Sequence, residues 1–169
     1  MNCGKKILRK ILYLGFFSAF SLLKCQIPAS GADLPSLSSV QWGMSMEGVK
    51  DLIGRHMEEI GDTALTFPDS FLSSNVHVTM TFGKSDSDKG LRFMEIQFDE
   101  KNVESLRSYL ITRYGKDYET EKKEKTKLFF TVNLEASKWL LKSESVVMMA
   151  FSHGDEVLAL SLLYNRRGR

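Results

Sequence analysis

Three histidines, a run of carboxylates and two cysteines are the residues of this chain with the greatest chemical reach. His56, His77 and His153 are single residues in three unrelated stretches. None has the i, i+4 partner that sets two imidazoles on one helix face around zinc. Asp86 and Asp88 stand in SDSDKG, but an EF-hand loop places its glycine and closing glutamate in a different register. A turn of polar residues explains that run better. Glu95, Asp99, Glu100 and Glu104 are close enough in sequence to supply paired carboxylates. Acids at a helix start are also what the helix dipole favours. There is no GxSxG elbow and no glycine-rich phosphate loop, and the one SxxK, Ser21 to Lys24, ends an apolar run. A catalytic site needs convergent titratable groups. The sequence therefore offers no catalytic, cofactor-binding or metal-ligating residue, and no cofactor is expected.

Both cysteines, Cys3 and Cys25, lie near the N-terminus. The rest of the chain has no disulfide to draw on and must stand on its hydrophobic core. Lys5, Lys6, Arg9 and Lys10 precede the apolar run Ile11 to Leu23, the basic and hydrophobic regions of an export signal. About 20 apolar residues are needed to span a bilayer, and this run is shorter. Two ends of the leader compete. Ser30-Gly31-Ala32 fits cleavage after Ala32, giving a signal of residues 1–32. Alternatively the leader covers 1–24 and Cys25, in LLKC, is the candidate lipidation site, with Leu22 in place and Lys24 where a small residue is expected. Residues 25–40, rich in Pro, Ser and Gly, read as a flexible tether.

The chain has 169 residues and a formal charge of +2, but residues 1–32 hold five basic side chains and no acid. The remainder carries 18 basic against 21 acidic residues, a net charge of −3. A slightly acidic surface excludes a phosphate-backbone partner, whose affinity needs clustered Lys and Arg. Arg166, Arg167 and Arg169 read as a solvated terminus.

From residue 41 to 165 the pattern is that of one α+β domain, or a tandem of 41–98 and 99–165. Ser45 caps a predicted helix with Val49, Leu52, Ile53, Met57 and Ile60 on one face, ended by Gly61. Strands are predicted over Thr63–Phe67, Val76–Phe82 and Leu91–Phe98. In the second of these Val76, Val78, Met80 and Phe82 face one way, and His77, Thr79 and Thr81 the other. A second helix, Glu100 to Tyr114, carries Val103, Leu106, Leu110 and Tyr114, with Asp99 as cap and Gly115 as stop. The charged run Glu121 to Lys127 reads as a solvated connection or strand approach. Strands follow over Lys127–Asn133, Ser137–Lys142, Ser145–Ser152 and Glu156–Tyr164. The expected architecture is two helix-plus-antiparallel-meander units, αβββ then αββββ, with helices packed on one face of the sheet.

At Trp42 to Gly54, WGMSMEGVKDLIG, the chain resembles small bacterial envelope proteins in which W-G-M-[ST]-x-x-x-V-K opens a helix before a β-meander. Such units are similar to those of the BamE/SmpA-like outer-membrane assembly lipoproteins and of the tandem-domain β-lactamase inhibitor proteins. Gly48 stands where that pattern leads one to expect an acid. The resemblance implies an exported binding or assembly module and carries over no catalytic residue. Three side chains are candidate partner contacts. Phe71 and Leu72 form an apolar pair in the polar stretch FPDSFLSSN, where the simpler reading is a loop folded back over the helix. Trp139 is a candidate exposed anchor. The expectation is a non-enzymatic protein of the periplasm, outer membrane or exterior with a protein partner in the cell envelope. It touches membrane only through a lipid on Cys25, and nucleic acid not at all. The rival is an exported hydrolase or small-ligand protein using a cleft between sheet and loops.

Overall fold

The computed structural model describes residues 34–84, 89–127 and 130–167. The leader, Cys25, the Ala32 cut and the aspartates of the SDSDKG loop lie outside them. The described helices are α1, Met46–Ile53, and α2, Val103–Tyr114. The strands are β1 Glu58–Ile60, β2 Ala64–Phe71, β3 Ser74–Phe82 and β4 Leu91–Phe98, then β5 Glu119–Lys127, β6 Phe130–Leu140, β7 Glu144–His153 and β8 Glu156–Arg166. Together they make a single eight-stranded sheet in the order β1-β2-β3-β4-β8-β7-β6-β5, and every neighbouring pair is antiparallel.

This overturns the expected α+β arrangement of an αβββ and an αββββ unit. The described residues are mostly strand, the two described α-helices are short, and β4 pairs with β8 so that the sheet is continuous through its middle. Two local causes explain the difference. Gly54 adopts a left-handed φ of 64° and its N–H bonds the Lys50 carbonyl, so the first helix ends there and not at Gly61. Met57 and Ile60 leave the helical stripe, and β1 forms in the space released. The run Glu119–Lys127, charged almost throughout, is a full strand because its register against β6 is complete from Glu119↔Lys138 to Lys127↔Phe130. Strand pairing overrode its poor β propensity.

One face of the sheet holds the core. Phe67, Val78, Met80, Met94, Ile96, Val146, Met148, Leu162 and Tyr164 are all buried there. Helix α2 lies over this face with Leu106 and Leu110 inward, and each such burial contributes about 2 kcal/mol. Its cap is Asn102, which accepts from the Ser105 N–H at 2.9 Å, in place of the expected Asp99. Gly115 closes the helix as its sequence predicts, and its carbonyl accepts from Trp139 Nε1 at 3.0 Å. Helix α1 is capped by Ser45, whose side chain accepts from the Gly48 N–H, and buries Val49.

Residues 34–40, the end of the expected tether, also belong to this layer. Leu34, Leu37 and Val40 are fully buried. They sit three residues apart around the 3₁₀ turn Pro35–Leu37, with Leu37 N–H on Leu34 O and Val40 N–H on Leu37 O. A 3₁₀ turn eclipses side chains at i and i+3, so one apolar edge results.

The following WGM segment is clamped to β4. Gly43 N–H donates to the Leu91 carbonyl at 3.0 Å, and Leu91 N–H donates to Met44 O at 2.8 Å. Trp42 Nε1 donates to the buried Glu144 at 2.9 Å, tying the same segment to β7. Gly43 sits at φ 85°, and a Cβ on Gly90 would lie 2.3 Å from Gly43 O and 2.4 Å from its Cα. No side chain fits between the two backbones. Gly90→Ala is accordingly expected to cost about 2 kcal/mol by forcing them apart. Urea unfolding measures this, and a loss below a few tenths of a kcal/mol would show the contact to be slack.

Candidate binding surface

Strand geometry sends alternate side chains to opposite faces, and the two faces of this sheet differ sharply. Among the described residues α1, α2 and segment 34–44 all pack on the core face. On the opposite face the large side chains of even the central strands are only half-buried: Phe93, Val147, Met149, Phe151 and Leu163. Neighbouring strands shield them from the side, and no described element covers them from above.

The register divides this open face into two halves. Over β2, β3 and β4 it is mostly polar, with Thr66, His77, Thr79, Thr81, Glu95 and Gln97 outnumbering Ala64, Pro68 and Phe93. Thr66 Oγ1 donates to the Val78 carbonyl at 3.1 Å, and Gln97 donates to Glu95 at 3.2 Å. Over β6, β7 and β8 it is apolar, in three cross-strand rows: Leu134–Phe151–Ala159, Ala136–Met149–Ser161 and Lys138–Val147–Leu163. Rows about 7 Å apart and strands about 4.8 Å apart make this patch roughly 14 Å by 10 Å. The whole face, about 34 Å wide, approaches the roughly 800 Å² that one side of a standard protein interface covers.

The signal for this face was present in β7. Its run Val146-Val147-Met148-Met149-Ala150-Phe151 is apolar on both faces. A strand of an antiparallel sheet with one solvated face alternates apolar and polar residues. A doubly apolar strand marks a second face that is not built for water alone.

Two of the three predicted contact residues are placed differently from expectation. Phe71 is buried, 5.8 Å from the Phe98 ring and edge-on to Tyr109 at 5.3 Å. Trp139 is buried against Tyr118 at 4.7 Å. Neither side chain is free to serve as a surface anchor. The polar stretch around Phe71 is no loop, because β2 runs on to Phe71 and turns back through Leu72 and Ser73 alone. Leu72 is exposed at the tip of that hairpin. It and Ser73 hold left-handed φ angles of 51° and 64°, a conformation that asparagine and glycine adopt more readily.

Two clefts also open on the described surface. One of about 690 Å³ lies between the start of α1 and the β3 end, lined by Ser45, Glu47, Asp62, Thr63, Lys84 and Lys89. The other, about 660 Å³, runs between α2 and β5–β6. There Glu135 is shared by Arg107 at 2.6 Å and Lys122 at 3.3 Å, so its charge is already matched. His56 follows α1, His77 is on the open face of β3, and His153 ends β7 with Nδ1 2.7 Å from the Thr131 carbonyl. Among the described residues no three His, Cys, Asp or Glu side chains converge. No described helix is long and apolar enough to cross a membrane.

Asp69 has the most connected carboxylate of the core face. Arg55 Nη2 donates to it at 2.6 Å while its guanidinium lies over the Phe67 ring. The Ser36 hydroxyl and the Ser70 N–H donate as well. Burial pushes this carboxyl up, but the bonds from Arg55, Ser36 and Ser70 and the Arg55 charge outweigh it and hold the pKa below the ordinary 3.8.

Comparison with protein-family models, with curated proteins and with solved structures returned no match to this chain.

Because the folded pKa of Asp69 is lowered, its stabilising contribution is complete above pH 3.8 and disappears as pH falls through the folded value. Asp69→Asn is expected to lose about 1 kcal/mol at neutral pH, a figure discounted for the partly exposed Arg55. Denaturant titrations should show the gap between variant and parent closing below pH 3.8. A gap of constant size down into strong acid contradicts this account.

Proposed function

We propose that this is an exported, non-enzymatic protein of the cell envelope that binds another protein through the sheet face opposite α1 and α2. The observation that carries the reading is the doubly apolar strand β7, which sets Val147, Met149 and Phe151 on a face with no described cover. A protein partner suits this face because an apolar centre flanked by hydroxyl, amide and carboxylate groups is the usual anatomy of a protein interface. The expected occupant presents an apolar stripe to β6–β8 and hydrogen-bonding groups to β2–β4. Location rests on the basic and apolar leader, and the likeness of the WGMSMEGVK stretch to envelope assembly modules agrees with it. A hydrolase gains no support from the cleft between α2 and β5–β6, where the Glu135 charge is already matched by Arg107 and Lys122.

Capture from envelope extracts with the full chain tests the proposal. Met149→Glu with Phe151→Glu places two charges on the open face, where solvent can hydrate them, and thermal unfolding should shift by only a few degrees. The pair is expected to reduce recovery of the partner at least tenfold, equivalent to about 1.4 kcal/mol or more. Equal recovery by the parent and by a folded double variant excludes the open face as the binding surface. Phe71→Ser is unsuitable as a contact probe because it hollows the core.

A further inference from the structure

Among the described residues strand β5 ends the sheet, with β6 as its only partner. Its outer edge therefore offers unpaired backbone N–H and C=O groups along nine residues, whereas the opposite edge strand, β1, has three. Charged side chains on an edge ordinarily block the addition of another strand. The order of charges along β5 changes that outcome for one visitor.

We propose that β5 is a self-complementary edge, and that two copies of this chain join their sheets by antiparallel pairing of β5 with β5 about a two-fold axis at Lys123. Directly opposite residues of an antiparallel pair share a face. A two-fold axis normal to the sheet keeps both helix layers on one side, so opposite positions must have numbers of the same parity. The axis at Lys123 is the middle of Glu119–Lys127 and pairs the whole strand with its copy. It sets Glu121 opposite Lys125 on the open face, Lys122 opposite Glu124 on the helix face, and Thr120 opposite Thr126, each twice. The one like-charged meeting is Lys123 with its own copy, and Glu121 of the same strand already lies 2.7 Å from that ammonium.

Neighbouring axes serve less well. At Lys122 the open face still sets Glu121 opposite Lys123 and Glu119 opposite Lys125, but the helix face meets as Lys122 with Lys122 and Thr120 with Glu124, whereas the axis at Lys123 matches opposite charges on both faces. At Glu121 the glutamate meets itself, and at Glu124 the same happens while Lys123 twice opposes Lys125. For most foreign strands these charges have no matching sequence and must be buried unpaired at the edge, which rejects them. The copy presents the matching order. Glu121 and Lys123 are each 64% exposed in the monomer, so they are free to reorient toward a second chain. The inference stands on the edge alone and is independent of the partner proposed for the open face.

Sedimentation of the purified full chain reads the dimer directly. It should form at about 100 µM protein and weaken roughly tenfold or more as salt rises from about 0.05 to about 0.5 M, because its pairs are solvent-exposed. Glu121→Lys sets Lys opposite Lys125 twice and should weaken association at least about tenfold. Glu121→Lys with Lys125→Glu restores opposite charges and should recover association to within about threefold. Lys123→Cys should cross-link to its own copy under oxidation, identified by the peptide that carries position 123, whereas Glu121→Cys should not. A monomer at every concentration overturns the proposal. So does a dimer indifferent to Glu121→Lys, or a loss that the charge exchange does not repair in a variant with unchanged thermal unfolding.

Discussion

The pairing of β4 with β8 is the constraint on which the rest of the structure depends. It matches residues 93–97 with 161–165, so the last strand of the chain must return to the middle of the sheet. Without it β1–β4 and β5–β7 would each present an additional open edge, and neither has enough inner surface to cover with one short helix. The seam is sealed on the core face by Met94 against Tyr164 and Ile96 against Leu162, all buried. Removing any one of these large side chains forfeits several kcal/mol of burial and packing. Contacts between positions so far apart in sequence form only after a long loop has closed, which makes the seam a late event in folding.

The same seam is the line at which the open face changes character. Glu95 stands beside Leu163 and Gln97 beside Ser161, so polar β4 meets the apolar strands directly. On the core face there is no such change, because a buried apolar row runs across the seam from Met80 and Met94 to Tyr164 and Val146. Segment 34–44, α1 and α2 cover that side, and the clamp between Gly43 and Leu91 fixes the first part of this layer at the start of β4. With both described helices on one side of a wide sheet, no described element covers the other face. The composition of that face then becomes the most informative part of the surface.

Legibility in the sequence followed the range of the interactions. The alternation of Val76 to Phe82, the strand Leu91–Phe98, and the stripe of α2 ending at Gly115 are set by neighbours in the chain, and they stand where the pattern puts them. The end of α1 was hidden because Gly54 reads equally as a tolerated interior glycine or as a left-handed cap. Strand β5 was hidden because its charges describe a solvated segment, and only pairing with β6 makes it a strand. Phe71 and Trp139 looked available because burial is a property of the assembled layers. The three-residue spacing of Leu34, Leu37 and Val40 was visible but fell within a stretch whose Pro, Ser and Gly content suggested a tether. The candidate surface itself could be read in β7, where apolar residues at odd and even positions alike exceed what one covered face requires.

An open sheet face and free sheet edges create opposite hazards, and this chain treats them differently. An edge offers backbone hydrogen bonds to almost any extended segment, so its selectivity must come from side chains. At β1 the solution is brevity, and at β5 it is an ordered sequence of charges that excludes segments lacking the matching order. A face offers no backbone hydrogen bonds, and its selectivity comes from shape and from the placement of polar groups around an apolar centre. Here that centre is confined to three rows between the seam and the charged edge, with Lys138 at one corner and the hydroxyls of Thr66, Thr79 and Thr81 beyond the seam. A patch this small limits nonspecific association. On the proposed reading, a partner gains appreciable burial only by engaging the polar half as well, and the division of the face at β4–β8 is what would make both halves necessary.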